Sequence, residues 1–246
     1  MNKLPLITFS FWIMKICATT LGETAGDLFS MTLKVGYAMS SMILIGLFII
    51  ALIFQLKSKS YHPFLYWTVI LLTSTAGTTL SDFMNRTLEL GYAKGSFILL
   101  TILISVLALW KYKFATLSVE NIQSVKVEFF YWVAIFFSNT LGTSLGDFLA
   151  DDSGLGFAGG AILIGGLLLL IVLANFFTTI SKIILFWMAF ILTRPFGATL
   201  GDVLTKTKEK GGLNLGTINS SFVLLLILGI CIFLTHIRLQ RERNSK

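Results

Sequence analysis

Histidine and cysteine are almost missing from this chain, with two of each in 246 residues. Cys17 and Cys231 lie inside apolar runs without a Cys-x-x-Cys spacing, so neither a disulfide framework nor a thiolate metal site is indicated. With only His62 and His236 beside them, a zinc or copper site built from His and Cys is not expected. The same poverty argues against an enzyme. There is no Ser/His pair, His-Glu-x-x-His motif or Cys/His constellation, and no catalytic residue or resident cofactor is expected. Charge is scarce too: 13% of residues are charged and 55% are hydrophobic, with a mean hydropathy of +0.85. A soluble domain carries about a quarter charged residues, so the apolar excess has to be buried in lipid. The chain reads as an all-α integral membrane protein whose first partner is membrane lipid. Its net charge of +7 does not point to nucleic acid, because most basic residues sit in loops and at the C-terminus, as cytoplasmic loop residues do.

What the chain has in abundance is repetition. Gly22-Glu23-Thr24-Ala25-Gly26-Asp27 returns as Gly77–Asp82, Gly142–Asp147 and Gly197–Asp202. Trp12, Trp67, Trp132 and Trp187 stand fifteen residues ahead of these Asp residues, and Gly36, Gly91, Gly156 and Gly211 stand nine behind. Two spacings kept through four copies define one repeated unit. Each unit holds two apolar segments, roughly 8–29, 64–84, 129–149 and 183–203 for the first, and 37–56, 92–110, 157–176 and 214–235 for the second. A span needs about 20 residues, so eight transmembrane helices are expected. The first run contains Trp12 and a whole motif and lacks a cleavage site, so it does not read as a cleavable signal peptide.

Trp12 to Trp132 and Trp67 to Trp187 are both 120 residues, which makes the chain a pair of similar halves, 1–120 and 121–246, each of two repeats. An even number of spans per repeat makes the repeats parallel, related by an axis along the membrane normal. Eleven loop lysines and arginines fall on the side of the termini and six on the other. The positive-inside rule then puts both termini in the cytoplasm.

On a helical wheel each motif segment shows two stripes. One is small (Ala18, Gly22, Gly26 and their counterparts) and suits close helix packing in lipid. The other is polar: Thr20, Glu23, Thr24 and Asp27; Thr75, Thr78, Thr79 and Asp82; Thr140, Thr143, Ser144 and Asp147; then only Thr199 and Asp202. The Asp side chains are open to two readings, a polar pathway within the membrane or a cap on the turn that follows each motif. Trp at the headgroup level would place them about 22 Å deeper. Arg194 is a further charge inside these helices and invites a pair with Glu23 or an Asp, or a gating role. Lys15 reads as a snorkelling residue, and the four Trp as interfacial anchors.

These four Trp-bearing, two-span units resemble a bacterial membrane-protein family defined by four tandem copies of a repeat of unknown function. The resemblance covers nearly the whole chain and implies a multi-pass protein of the bacterial inner membrane, without implying an activity. Glu23-Thr24-Ala25-Gly26-Asp27 is also similar to the Glu-x-Gly-Asp motif of cation and manganese exporters, although Glu and Asp are four apart here and no Lys or Arg follows. Carboxylates and hydroxyls without His or Cys suit hard, oxygen-preferring ions. The functional expectation is therefore a secondary transporter or exporter of a small cation, a divalent metal such as Mn2+ among the candidates. Its ligands would be Asp27, Asp82, Asp147, Asp202 and Glu23, completed by Thr24, Thr79, Ser144 and Thr199. The alternatives are an organic cation or small metabolite as substrate, or a scaffold subunit that transports nothing.

Overall fold

The computed structural model describes residues 3–119, 122 and 124–244. Among them are eight long α-helices and no strand: α1 (Phe9–Asp27), α2 (Tyr37–Lys57), α3 (Pro63–Asp82), α4 (Tyr92–Phe114), α5 (Val125–Asp147), α6 (Gly156–Phe177), α7 (Lys182–Thr205) and α8 (Thr217–Asn244). Five of them, α2, α4, α6, α7 and α8, are long and apolar enough to cross a membrane. The outward side chains of the outer helices are apolar, including Phe54, Phe97, Ile162 and Phe176, as a lipid-facing surface requires. The remaining three helices, α1, α3 and α5, carry the polar motif.

The four motif helices form a closed inner ring in the order α1, α3, α5, α7 and back to α1. The small stripe explains how tightly it closes. Gly22 and Gly26 face Ser74 and Thr78 of α3, Gly77 faces Asn139 and Thr140 of α5, Gly142 faces Arg194 of α7, and Gly197 and Gly201 face Thr19 and Glu23 of α1. Every motif helix thus lays its glycines on the next, which is the contact small residues permit in lipid. A Cβ on Gly77 would lie 2.9 Å from the Thr140 nitrogen and 3.1 Å from the Asn139 carbonyl carbon, both backbone atoms that cannot swing away. Gly77→Ala should cost about 1–3 kcal/mol by overpacking. Gly46→Ala, where nothing lies within 4 Å, should be neutral or slightly stabilising. Thermal unfolding of both variants in one detergent checks the contrast, and equal melting temperatures would refute it.

The second helix of each repeat packs mainly on a motif helix other than the first helix of its own repeat. α2 lies on α3, α4 on α5 and α6 on α7, and α8 returns to α1. The unit of sequence is therefore offset by one helix from the unit of packing. Short connectors make this offset possible. After Asp27, Asp82 and Asp147 the chain continues as a π-helical turn (Leu28–Thr32, Phe83–Thr87 and Phe148–Asp152), closed by bonds such as Leu33 N–H to Leu28 O at 2.8 Å. It then reverses through Gly36 and Gly91, whose φ of 83° and 73° lie in the left-handed region that a side chain disfavours. The fourth repeat differs from the spacing in the sequence. The residue in the place of Gly36 is Gly216, directly before α8, and Gly211 instead ends a short 3₁₀ turn, Lys208–Lys210. Repeat four has five extra residues here.

The two ends of the ring are unlike. At the end bearing the termini, Trp67, Trp132 and Trp187 are buried, in edge contacts with Tyr66, Tyr131 and Trp110, and the Tyr66 and Tyr131 hydroxyls bond at 2.6 Å. The expectation of four interfacial anchors is corrected for these three: ring closure packs the indoles against Tyr66, Tyr131 and Trp110, and Trp187 donates to the Leu117 carbonyl of the connector between halves, whereas Trp12 is partly buried. Val119 and Ile122 of that connector are buried as well. Lys3 crosses the same end to Glu128 at 2.8 Å, with Gln55 donating to the other carboxylate oxygen.

Candidate functional site: a carboxylate layer closed by basic side chains

Three levels of polar residues lie on the ring axis, eight, four and no residues ahead of the repeated Asp. In the first level, Arg194 of α7 is wholly buried, as are Thr19, Ser74 and Asn139, its counterparts on the other helices. Its guanidinium donates to Glu23 Oε2 from both terminal nitrogens at 3.0 Å, to Thr78 Oγ1 at 2.5 Å and to Thr143 Oγ1 at 2.6 Å. Thr78 and Thr143 in turn donate to the same Glu23 oxygen at 3.2 Å. Glu23, Thr78 and Thr143 are equivalent positions of three repeats. The fourth has Ala198 there, and the long Arg194 side chain from one turn earlier reaches into that space. Of the partners open to Arg194, Glu23 is the one it takes.

Asp27, Asp82, Asp147 and Asp202 form the next level and are all buried. None of Asp27, Asp82 and Asp147 makes a side-chain cap bond to the turn that follows it, so capping does not account for them. Two basic residues from the connectors tie them together instead. Arg86 contacts Asp82 at 3.1 Å and Asp147 at 3.6 Å, and Lys206 contacts Asp27 at 2.8 Å and Asp202 at 3.1 Å. Burial opposes the charge on Lys206, yet Asp202 and Asp27 together raise its pKa above the usual lysine range. Glu23 of the level before joins two of them: one carboxylate oxygen each of Glu23, Asp147 and Asp202 lie within 4.8 Å of one another. The Oδ2 of Asp147 accepts no hydrogen bond, the Arg86 guanidinium standing off from it at 3.6 Å.

The structure therefore brings together Glu23, the four Asp and Arg194, and it separates from them the four hydroxyls expected beside them. Thr24 accepts from Ser221 of α8, and Ser144 accepts from Asn85 and from Ser96 of α4. Thr79 and Thr199 bond to carbonyls of their own helices. Thr24, Ser144 and Thr199, three before the Asp, meet the outer helices, whereas Glu23, Thr78 and Thr143, four before it, meet at the axis. Lys15 also departs from expectation. It does not snorkel but is wholly buried, 3.4 Å from Asn139 Oδ1 and 4.0 Å from the centre of the Phe190 ring. Reading the sequence placed Arg86 and Lys206 among loop charges only. Their shared position, four after the Asp in the second repeat of each half, was the pattern that could have picked them out.

The pattern of DUF347, described as a Repeat of Unknown Function, matches this chain four times in tandem, over residues 10–61, 65–114, 130–181 and 185–241. The chain belongs to the DUF347 repeat family. No curated protein and no solved structure matches it, and the likeness of Glu23–Asp27 to cation-exporter motifs gains no support. Within this DUF347 protein the four repeats supply equivalent Asp residues, while Glu23, Arg86, Arg194 and Lys206 make the copies unequal.

Proposed function

We propose that this protein is a secondary transporter of a small cation, and that an oxygen-preferring divalent ion such as Mn2+ suits it best. The observation that carries the reading is the convergence of Glu23, Asp147 and Asp202, with a buried Asp147 oxygen that accepts no hydrogen bond. Buried carboxylates at membrane depth are costly and usually mark ion paths, and a set of oxygens without nitrogen or sulfur favours hard ions. The closed, tightly spaced layer fits a metal-sized ion better than an organic cation.

On this reading all eight helices span the bacterial inner membrane with both termini in the cytoplasm. Helices α1, α3 and α5, of 19, 20 and 23 residues, are long enough to span and less apolar because of their motif, and the outer helices shield them. The carboxylate layer then opens away from the cytoplasm, and the aromatic end faces it. A static pore is incompatible with Arg194 and Lys15 on the axis, because fixed positive charges repel a passing cation. The protein works as a carrier whose ring rearranges.

Asp147→Asn and Asp202→Asn should each reduce Mn2+ flux in proteoliposomes to the level of empty vesicles. Wild-type flux in both variants would sink the assignment. A second reading has its own support: every one of the five carboxylates already has a basic partner in the chain, which is what a purely structural clamp would show. Under that reading the same variants lower the melting temperature and wild-type vesicles carry no Mn2+ flux.

A further inference from the structure

Each carboxylate of the inner trio is held by a different basic side chain, and the three holders are not equivalent. Arg194 holds Glu23 from the interior, with no exposure and with added bonds to Thr78 and Thr143. Arg86 and Lys206 hold Asp147 and Asp202 from the rim, with side chains 32% and 20% exposed. Each rim residue bridges the Asp of its own repeat to that of the next, counting the ring as closed: Arg86 joins Asp82 to Asp147, and Lys206 joins Asp202 to Asp27. Met31 and Asp151 stand at the same place in the other two repeats, so the arrangement follows the two halves rather than the four repeats.

We propose that Arg86 and Lys206 are displaceable counter-cations that close the carboxylate layer at rest and leave it when a divalent cation enters. This rests on the cation-transport reading. An ion bound by Glu23, Asp147 and Asp202 competes with Arg86 and Lys206, which lie 3.6 Å from Asp147 Oδ2 and 3.1 Å from Asp202 Oδ1. The carboxylates cannot surrender those partners without replacement, because a buried charge stripped of its partner is strongly unfavourable. A divalent ion brings the two charges that the two departing side chains remove, so the layer keeps its balance. At rest the Arg86 guanidinium also has aromatic partners outside the carboxylate layer, which it can keep when an ion takes the carboxylates. Arg86 lies 5.9 Å and 5.7 Å from the ring centres of Tyr37 and Tyr92 and donates to the Tyr37 hydroxyl at 3.3 Å.

The test is Mn2+ binding to the purified full-length chain by titration calorimetry. Arg86→Gln and Lys206→Gln should each tighten binding by about tenfold or more, since a competing ion pair is gone, while Arg86→Lys keeps the charge and stays near the wild-type value. In the wild-type protein, saturating Mn2+ should also raise the rate at which an amine-acylating reagent labels Lys206, read by mass spectrometry; this arm needs no variant to fold. Unchanged or weaker binding in both Gln variants, or unchanged labelling, overturns the displacement mechanism when Asp147→Asn still abolishes Mn2+ binding. Absence of Mn2+ binding in the wild type and in every variant overturns the transport reading, and displacement with it.

Discussion

Arg194→Met should destabilise the protein by about 3–5 kcal/mol, the usual cost of breaking a buried ion pair by removing one partner. Three features place this site at the high end of single-substitution effects. The guanidinium is fully buried, it links all four inner helices through Glu23, Thr78 and Thr143 on the other three, and its loss leaves the Glu23 carboxylate in the core with the Thr78 and Thr143 hydroxyls as donors. Glu23→Gln alone strands the positive charge and should also be costly. The double variant removes both charges at once, and replacing a buried pair by neutral residues is commonly close to neutral. It should therefore melt well above either single variant. Thermal unfolding of the four proteins in one detergent measures the coupling, expected to reach about 2–3 kcal/mol, the upper range for residues in one network. Additive losses would show that Glu23 and Arg194 act separately, against the geometry. Mn2+ flux by the double variant, set beside its restored stability, separates the clamp from any part the pair has in transport.

Much of this arrangement was legible in the residues, because it follows from spacing. The small stripe of Gly22, Gly77, Gly142 and Gly197 declared a packing face, and in the ring each of these glycines lies on the next motif helix. Glu23 and Arg194 stood out as ionisable groups without counterparts in the other repeats. What the residues withheld was the direction of the polar face. Positions three and four before each Asp are adjacent in sequence but about 100° apart on a helix, and both carry hydroxyls in repeats two and three. Choosing between Thr78 and Thr79, or Thr143 and Ser144, requires knowing on which side the outer helix lies. That depends on the offset pairing of α2 with α3 and α4 with α5, which no local pattern encodes. Lys15 was misplaced for a related reason. Depth along a helix does not reveal whether a side chain points to lipid or to the axis, and Lys15 lies against Phe190 of the neighbouring α7 and reaches Asn139 of α5 across the ring. Gly211 kept its spacing by coincidence while the turn it resembled had moved to Gly216.

The offset pairing sets the outcome of deleting the last helix. A chain ending at Gly212 should fail to form a stable ring, although all four motifs and every residue of the carboxylate layer remain. Helix α8 covers the outer face of α1, with Ser221 bonding Thr24 at 2.9 Å, Cys17 donating to the Leu224 carbonyl at 3.4 Å, and Leu228 and Ile232 buried. Without it those α1 groups face lipid, where polar atoms that lose their partners are costly and the close packing contacts have no substitute. The expected result is loss of a monodisperse species on size-exclusion chromatography. The same geometry predicts a rescue. Helix α8 packs chiefly on α1 and only slightly on α7, the helix it follows in the chain. Residues 1–212 and 213–246, coexpressed as two chains, should therefore assemble, with the second recovered through an affinity tag on the first. A full-strength complex from 1–212 alone would show that α1 needs no cover. Failure of the two pieces to associate would show that the covalent link, rather than the α1 face, holds α8 in place.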